Sequence, residues 1–125
     1  MEIHIKTIPH SKQRYSTVGD YFVDKKGVLQ IRISNMKSEI SEQIVAVHEL
    51  VEVIMCNWKG IRIKDIDNFD IEFEKKRKKG NLDEPGFDPK SPYRNEHAIA
   101  TAVELMICAH LNISWKEYEE KINKL

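Results

Sequence analysis

Net charge is the first thing this chain lacks. Lys plus Arg and Asp plus Glu each total 20 over 125 residues, so no global field draws the protein toward nucleic acid or an anionic membrane, and any partner must be recognised locally. Long apolar runs are missing too. No stretch approaches the roughly 18 uncharged apolar residues of a membrane span, and Met1-Glu2-Ile3-His4-Ile5-Lys6 lacks the unbroken apolar core of a signal peptide. A soluble cytoplasmic protein with no membrane and no nucleic-acid partner is expected. Cysteine is scarce: Cys56 and Cys108 are the only two, each in an apolar helical stretch and without C-x-x-C spacing, which favours reduced core thiols over a disulfide. Internal repeats and linkers are absent as well. Residues 1–125 therefore read as one domain, long enough to bury a core without disulfides or metal, so that a bound metal would serve function rather than folding.

What is present follows two hydrophobic periods. Ile3, Ile5 and Thr7 alternate with polar residues and suggest a first strand with one covered face. Tyr21-Phe22-Val23 and Val28-Leu29-Gln30-Ile31-Arg32-Ile33 flank the turn former Asp24-Lys25-Lys26-Gly27 and predict a hairpin. The period then becomes helical, with Asn35 or Ser38 as cap, Glu39 and Glu42 at the positive end of the dipole, and Gly60 as the stop. Residues 65–79 read as a narrow amphipathic surface helix stopped by Gly80. Residues 81–93, with Pro85, Gly86, Pro89 and Pro92, read as an irregular loop of the kind that borders sites. Ser91-Pro92 then opens a third helix to about His110, Asn112 breaks it, and Ser114-Trp115-Lys116-Glu117 is a capping box for a short fourth helix. The expected fold is α+β: a small antiparallel sheet of about three strands, two long buried helices and two shorter ones.

Several charged or aromatic features read as surface or packing. The basic run Lys75-Lys76-Arg77-Lys78-Lys79 complements a helix carboxyl end, and no aromatics interleave it as a stacking platform for nucleic acid. Asp65, Asp67, Asp70, Glu72 and Glu74 lack the glycine of a calcium-binding loop. His4 and His10 have no ligand-like spacing and read as surface or loop, while Trp58 and Trp115 read as core or cap packing.

The segment that points to chemistry is His48-Glu49-Leu50-Val51-Glu52. Four residues is just over one helical turn, so the imidazole of His48 and the carboxylate of Glu52 share a face and can share a metal ion, while Glu49 lies off that line, free to act as a base. On the same helix Ile44, Val47, Leu50, Val51, Ile54, Met55 and Trp58 form a wide apolar arc, and His48, Glu49 and Glu52 fall in the remaining sector with Ser41, Val45, Cys56 and Lys59. That sector is either solvated or a site. The third helix tips the balance. Ala98, Ile99, Ala100, Ala102, Val103, Leu105, Met106, Ile107 and Ala109 make it apolar nearly all round, so it reads as buried, yet His97, Thr101, Glu104 and Cys108 line up along one edge. A buried polar seam must be satisfied, and packing it against His48 and Glu52 would bring two imidazoles and a carboxylate to one point, the ligand set of many catalytic zinc sites.

On these residues the chain resembles the zincin-like metallopeptidases, with an HExxE helix in place of H-E-x-x-H, over the hairpin and active helix at about residues 20–60. It is also similar to small bacterial and phage-type proteins with an H-E-L-x-E helix, a Pro-Tyr loop and a Glu-His helix. The resemblance implies a zinc-dependent metallohydrolase of peptide or amide bonds, with His48 as ligand, Glu49 as general base and acid, and Glu52 where the family has its second histidine. A later helix supplies the third ligand in such enzymes, here His97, with Glu104 as a further ligand or as an acceptor orienting His97. Glu96, a quarter turn from His97, reads as support for the first turn of its helix. Tyr93, Arg94 and His110 are candidates to stabilise an oxyanion. The carboxylate at position 52 departs from the family pattern and lowers the charge of the site, which weakens acidification of water more than it weakens metal binding. Two other readings stay open: a non-enzymatic phage- or prophage-type interaction module with a structural polar seam, and a non-haem iron protein, since two histidines and a carboxylate suit that metal too.

Overall fold

The computed structural model describes residues 1–125 and is α+β. Three strands, β1 (Ile3–Ile8), β2 (Gly19–Val23) and β3 (Leu29–Ser34), precede four helices, α1 (Glu39–Lys59), α2 (Ile63–Lys76), α3 (Arg94–His110) and α4 (Trp115–Asn123). The expected hairpin is β2–β3, with Tyr21 opposite Ile31 and Val23 opposite Leu29. Its turn is closed by the Asp24 carboxylate, which accepts from the N–H groups of Lys26 (2.8 Å) and Val28 (3.0 Å), while Gly27 takes a φ of 80°.

The sheet is mixed where an antiparallel one is expected. β1 lies parallel to β3, Ile5 opposite Ile31, and the order is β1-β3-β2. Residues 9–18 carry the chain from one edge to the other, and the side-chain amide of Gln13 ties that crossing down near Val18 O (3.3 Å), Arg32 O (3.2 Å) and Ser34 Oγ (3.1 Å). Alternation has the same period for either pairing direction, so it carries no information on this point.

Helix ends follow their local chemistry. Ser38 Oγ accepts from the N–H of Ser41 (3.4 Å) and the Glu42 carboxylate reaches back to the N–H of Met36 (2.8 Å), which satisfies donors the first turn of α1 leaves free. At the other end Gly60 turns left-handed (φ 74°) and Ile61 N–H bonds Cys56 O (2.9 Å). α3 closes in the same way through Asn112 (φ 57°), with Ile113 N–H on Cys108 O (2.9 Å). α3 begins at Arg94, beyond Ser91-Pro92, because Ser91 Oγ accepts from the N–H of Tyr93 (3.3 Å) in a turn before the helix. α2 ends at Lys76, short of Gly80.

The inward faces differ from the hydrophobic pattern. α1 buries Ser41, Val45, His48, Glu49, Glu52 and Cys56 and leaves Ile54 and Trp58 exposed. α3 buries Glu96, His97, Ala100, Glu104 and Cys108 but exposes Ala98, Ile99, Ala102, Leu105 and Met106, so it is not buried all round. The two polar seams meet at His48–Glu104 and His97–Glu52, which lets them go inside. Trp58 is thus not core packing, whereas Trp115 is half-buried beside Tyr118, with ring centroids 5.4 Å apart. Buried apolar side chains form one cluster that includes Tyr21, Ile31, Ile33, Ile44, Val45, Val53 and Tyr118, together with the free thiols of Cys56 and Cys108.

Asp70 ties α2 to the rest of the molecule. It is buried, and its two oxygens accept from the hydroxyls of Tyr93 (2.7 Å) and Tyr15 (3.2 Å). Burial pushes its carboxyl up to about 7, although the two hydroxyls pull the other way. An unfolded chain titrates this group near 3.8, so between the two values the folded state holds the extra proton and stability falls as pH rises. The urea stability of the wild type relative to Asp70→Asn should therefore drop by ~2–4 kcal/mol between about pH 4 and pH 7. A difference that stays flat over that window contradicts the assignment.

Candidate metal centre

Three side chains from two helices converge at one point. His48 Nε2 lies 3.0 Å from Glu52 Oε2 one turn along α1, and His97 Nδ1 of α3 lies 2.9 Å from the same oxygen. One ligand atom from each of the three lies within 4.8 Å of the others, and the imidazole centroids are 4.8 Å apart. Ligands about 2.0–2.1 Å from a tetrahedral zinc ion sit roughly 3.3 Å from one another. The two separations to Glu52 Oε2 are within a few tenths of an ångström of that, and the three atoms all lie within 4.8 Å of one another.

Each ligand is held from behind. His48 turns Nδ1 to Glu104 Oε1, and Glu104 Oε2 accepts from the hydroxyl of Tyr118. Glu52 keeps Oε1 on the hydroxyl of Tyr21 (2.9 Å), leaving Oε2 for the centre. His97 turns Nε2 toward Glu84 Oε2 at 3.6 Å, and that nitrogen is buried with no hydrogen bond of its own. Both imidazoles are therefore backed by a carboxylate, the arrangement that fixes ring orientation and raises ligand basicity in metal sites.

The charge balance points the same way. Four carboxyl groups, of Glu49, Glu52, Glu84 and Glu104, surround two imidazoles, and a divalent cation among them would offset the charge of those that are ionised. Burial works against ionised Glu52, but hydrogen bonds from His48 and His97 hold its carboxyl down at about 2. Burial likewise opposes charge on both imidazoles, and the carboxylates outweigh it: Glu104 and Glu52 raise His48, while Glu52 and Glu84 raise His97 to about 9. Glu49 goes in the opposite direction, raised by burial and then by the charge of Glu52. It is buried, makes no hydrogen bond and lines a cavity of about 290 Å³ together with His48, Glu52 and His97.

Two glycines make room for this cluster. A Cβ on Gly19 of β2 would lie 2.3 Å from Glu49 Oε1, and one on Gly86, in the turn at Pro85–Phe87, would lie 2.3 Å from the His97 ring. The backbone itself walls the site at both places.

Of the residues singled out from sequence, His48, Glu52, His97 and Glu49 meet here. Glu104 stands behind His48, not among the three converging ligands and not against His97. Glu96 is buried apart from the centre, with Oε1 3.6 Å from Lys59 Nζ. The Tyr93 hydroxyl is committed to Asp70, and Arg94 and His110 are exposed and do not line the cavity. Glu84 and Gly86 lie in the 81–93 loop that the sequence marks as one that borders sites, whereas Tyr21, Tyr118 and Gly19 were not anticipated. Of these three only Tyr118 carried a sequence signal, since a tyrosine on the inward side of a capped helix needs a partner for its hydroxyl.

Comparison with protein-family models, curated proteins and solved structures finds no match.

Gly86→Ala should displace the His97 ring while the helices stay folded, as read by the NMR chemical shifts of the His97 imidazole and by circular dichroism. Unchanged imidazole shifts would show that His97 does not depend on this close approach.

Proposed function

We propose that the chain is a zinc-dependent, zincin-like hydrolase of peptide or amide bonds, with His48, Glu52 and His97 as metal ligands and Glu49 as general base and acid. One observation carries this reading: His48 Nε2, Glu52 Oε2 and His97 Nδ1 converge within ligand distance, each held by a second group, beside an unpartnered buried carboxylate that faces a cavity. The H-E-x-x-E spacing and the hairpin that precedes it support the zincin comparison. When bound, the ion supplies Lewis-acid polarisation of the scissile carbonyl and lowers the pKa of water.

The remaining work falls to the chain. Glu49 accepts a proton from the attacking water and returns it to the leaving amine, so the carboxyl ends the cycle as it began. Glu104 and Tyr118 keep the His48 ring in one tautomer, and Glu84 faces His97 Nε2 at 3.6 Å on the side away from the centre. Tyr21 prevents Glu52 from turning both oxygens inward. The cavity, at about 290 Å³, takes a short segment of substrate rather than a folded protein surface.

Elemental analysis of protein purified without a histidine tag tests the centre. One zinc per chain is expected, and His48→Ala and His97→Ala should each weaken binding more than about 100-fold. Glu49→Gln should keep the metal and slow cleavage of a mixed peptide library, followed by mass spectrometry, by about 10²–10⁴-fold. Iron at the same ligands would replace the hydrolase by a non-haem iron protein. Protein that takes up neither metal on dialysis would leave the seam a structural element of an interaction module.

A further inference from the structure

The α1–α3 pair turns an apolar face outward that the chain covers fully only at Ile44. Trp58 is 90% exposed, Met106 64%, Ile54 58%, Ile99 50% and Ile40 41%. Their order is regular. On α1, Ile40, Ile44, Val47, Val51, Ile54 and Trp58 follow one another at alternating intervals of four and three, the a/d spacing of a coiled-coil seam. Of these six, only Ile44 is fully covered by the chain itself. On α3, Ile99, Val103 and Met106 repeat at four and three.

The two seams share one side of the pair. Lys59 meets Glu96, Glu52 meets His97 and His48 meets Glu104, so the helices run antiparallel with Ile54 level with Ile99, and Val47 and Val51 level with Val103 and Met106. At about 100° per residue the α1 seam lies roughly a quarter turn from His48, on the flank next to α3, and Ile99, Val103 and Met106 take the matching flank of α3. No residue of either seam lines the cavity at the metal centre.

We infer that a second copy of this chain covers this face, the two α1–α3 pairs closing into a four-helix bundle about a two-fold axis. The area matches such a partner. From ordinary side-chain areas the five exposed residues present roughly 600 Å², and Val47, Val51 and Val103 bring the face to about 700 Å², close to the share each partner contributes to a standard stable interface. Charge matches too. The chain has no net charge, so two copies approach without mutual repulsion, and no seam position carries a charged side chain that would select a charged partner. The intervals average three and a half residues, which lets each seam pack against its own copy in the shallow crossing of helical bundles.

Light scattering on the purified full chain tests this at micromolar concentration. The expected mass is twice the 14.6 kDa of one chain. Trp58→Glu and Met106→Glu alter side chains exposed in the single chain, so they should leave helical circular dichroism unchanged while weakening self-association at least about 30-fold. A wild type that stays monomeric, including one that pairs only with a different protein, overturns the inference, as does a dimer that survives both substitutions.

Discussion

A single oxygen, Glu52 Oε2, joins the two central helices: it meets His48 within α1 and His97 across the interface with α3. Both imidazoles and the carboxylate are buried, and removing one member of a buried ionic group costs about 3–5 kcal/mol because its partners are left uncompensated. The axial register of α1 on α3 is therefore set by these groups rather than by apolar packing, which tolerates sliding more readily. Glu104 against His48 and Lys59 against Glu96 repeat the same register above and below it.

Local signals were legible and relational ones were not. The Asp24–Gly27 turn, the Ser38 and Ser114 caps and the Asn112 break are decided within a few residues, and the chain folds as they indicate. The spacing of His48 and Glu52, and the polar line from His97 to Cys108, were visible for the same reason. The facing of α1 was not, because its apolar arc and its polar seam compete for the inside, and only the presence of α3 decides between them. The partner of Glu104 depends on how far one helix is shifted along the other, a quantity that no single-helix pattern contains. The direction of β1 is hidden likewise, since residues 9–18 are long enough to cross the sheet or to turn back.

The supports of the site come from elements with no sequence relation to one another. Tyr21 arrives from β2, Tyr118 from α4, Glu84 and Gly86 from the stretch between α2 and α3, and Gly19 from the first position of β2. They come from three separate segments, one or two residues from each. Their common feature is distance to the ligands, a property of the closed fold, and it shows how a site with only three converging ligand atoms draws on nearly every part of the chain.

The order of these elements has a consequence for biosynthesis. Translation delivers all three strands and α1 well before α3 leaves the ribosome, so His48, Glu49 and Glu52 at first have no cross-helix counterpart and must stay hydrated. The nascent amino-terminal portion thus cannot collapse fully around α1. Its closure waits for His97 and Glu104, which α3 supplies only after about three quarters of these 125 residues.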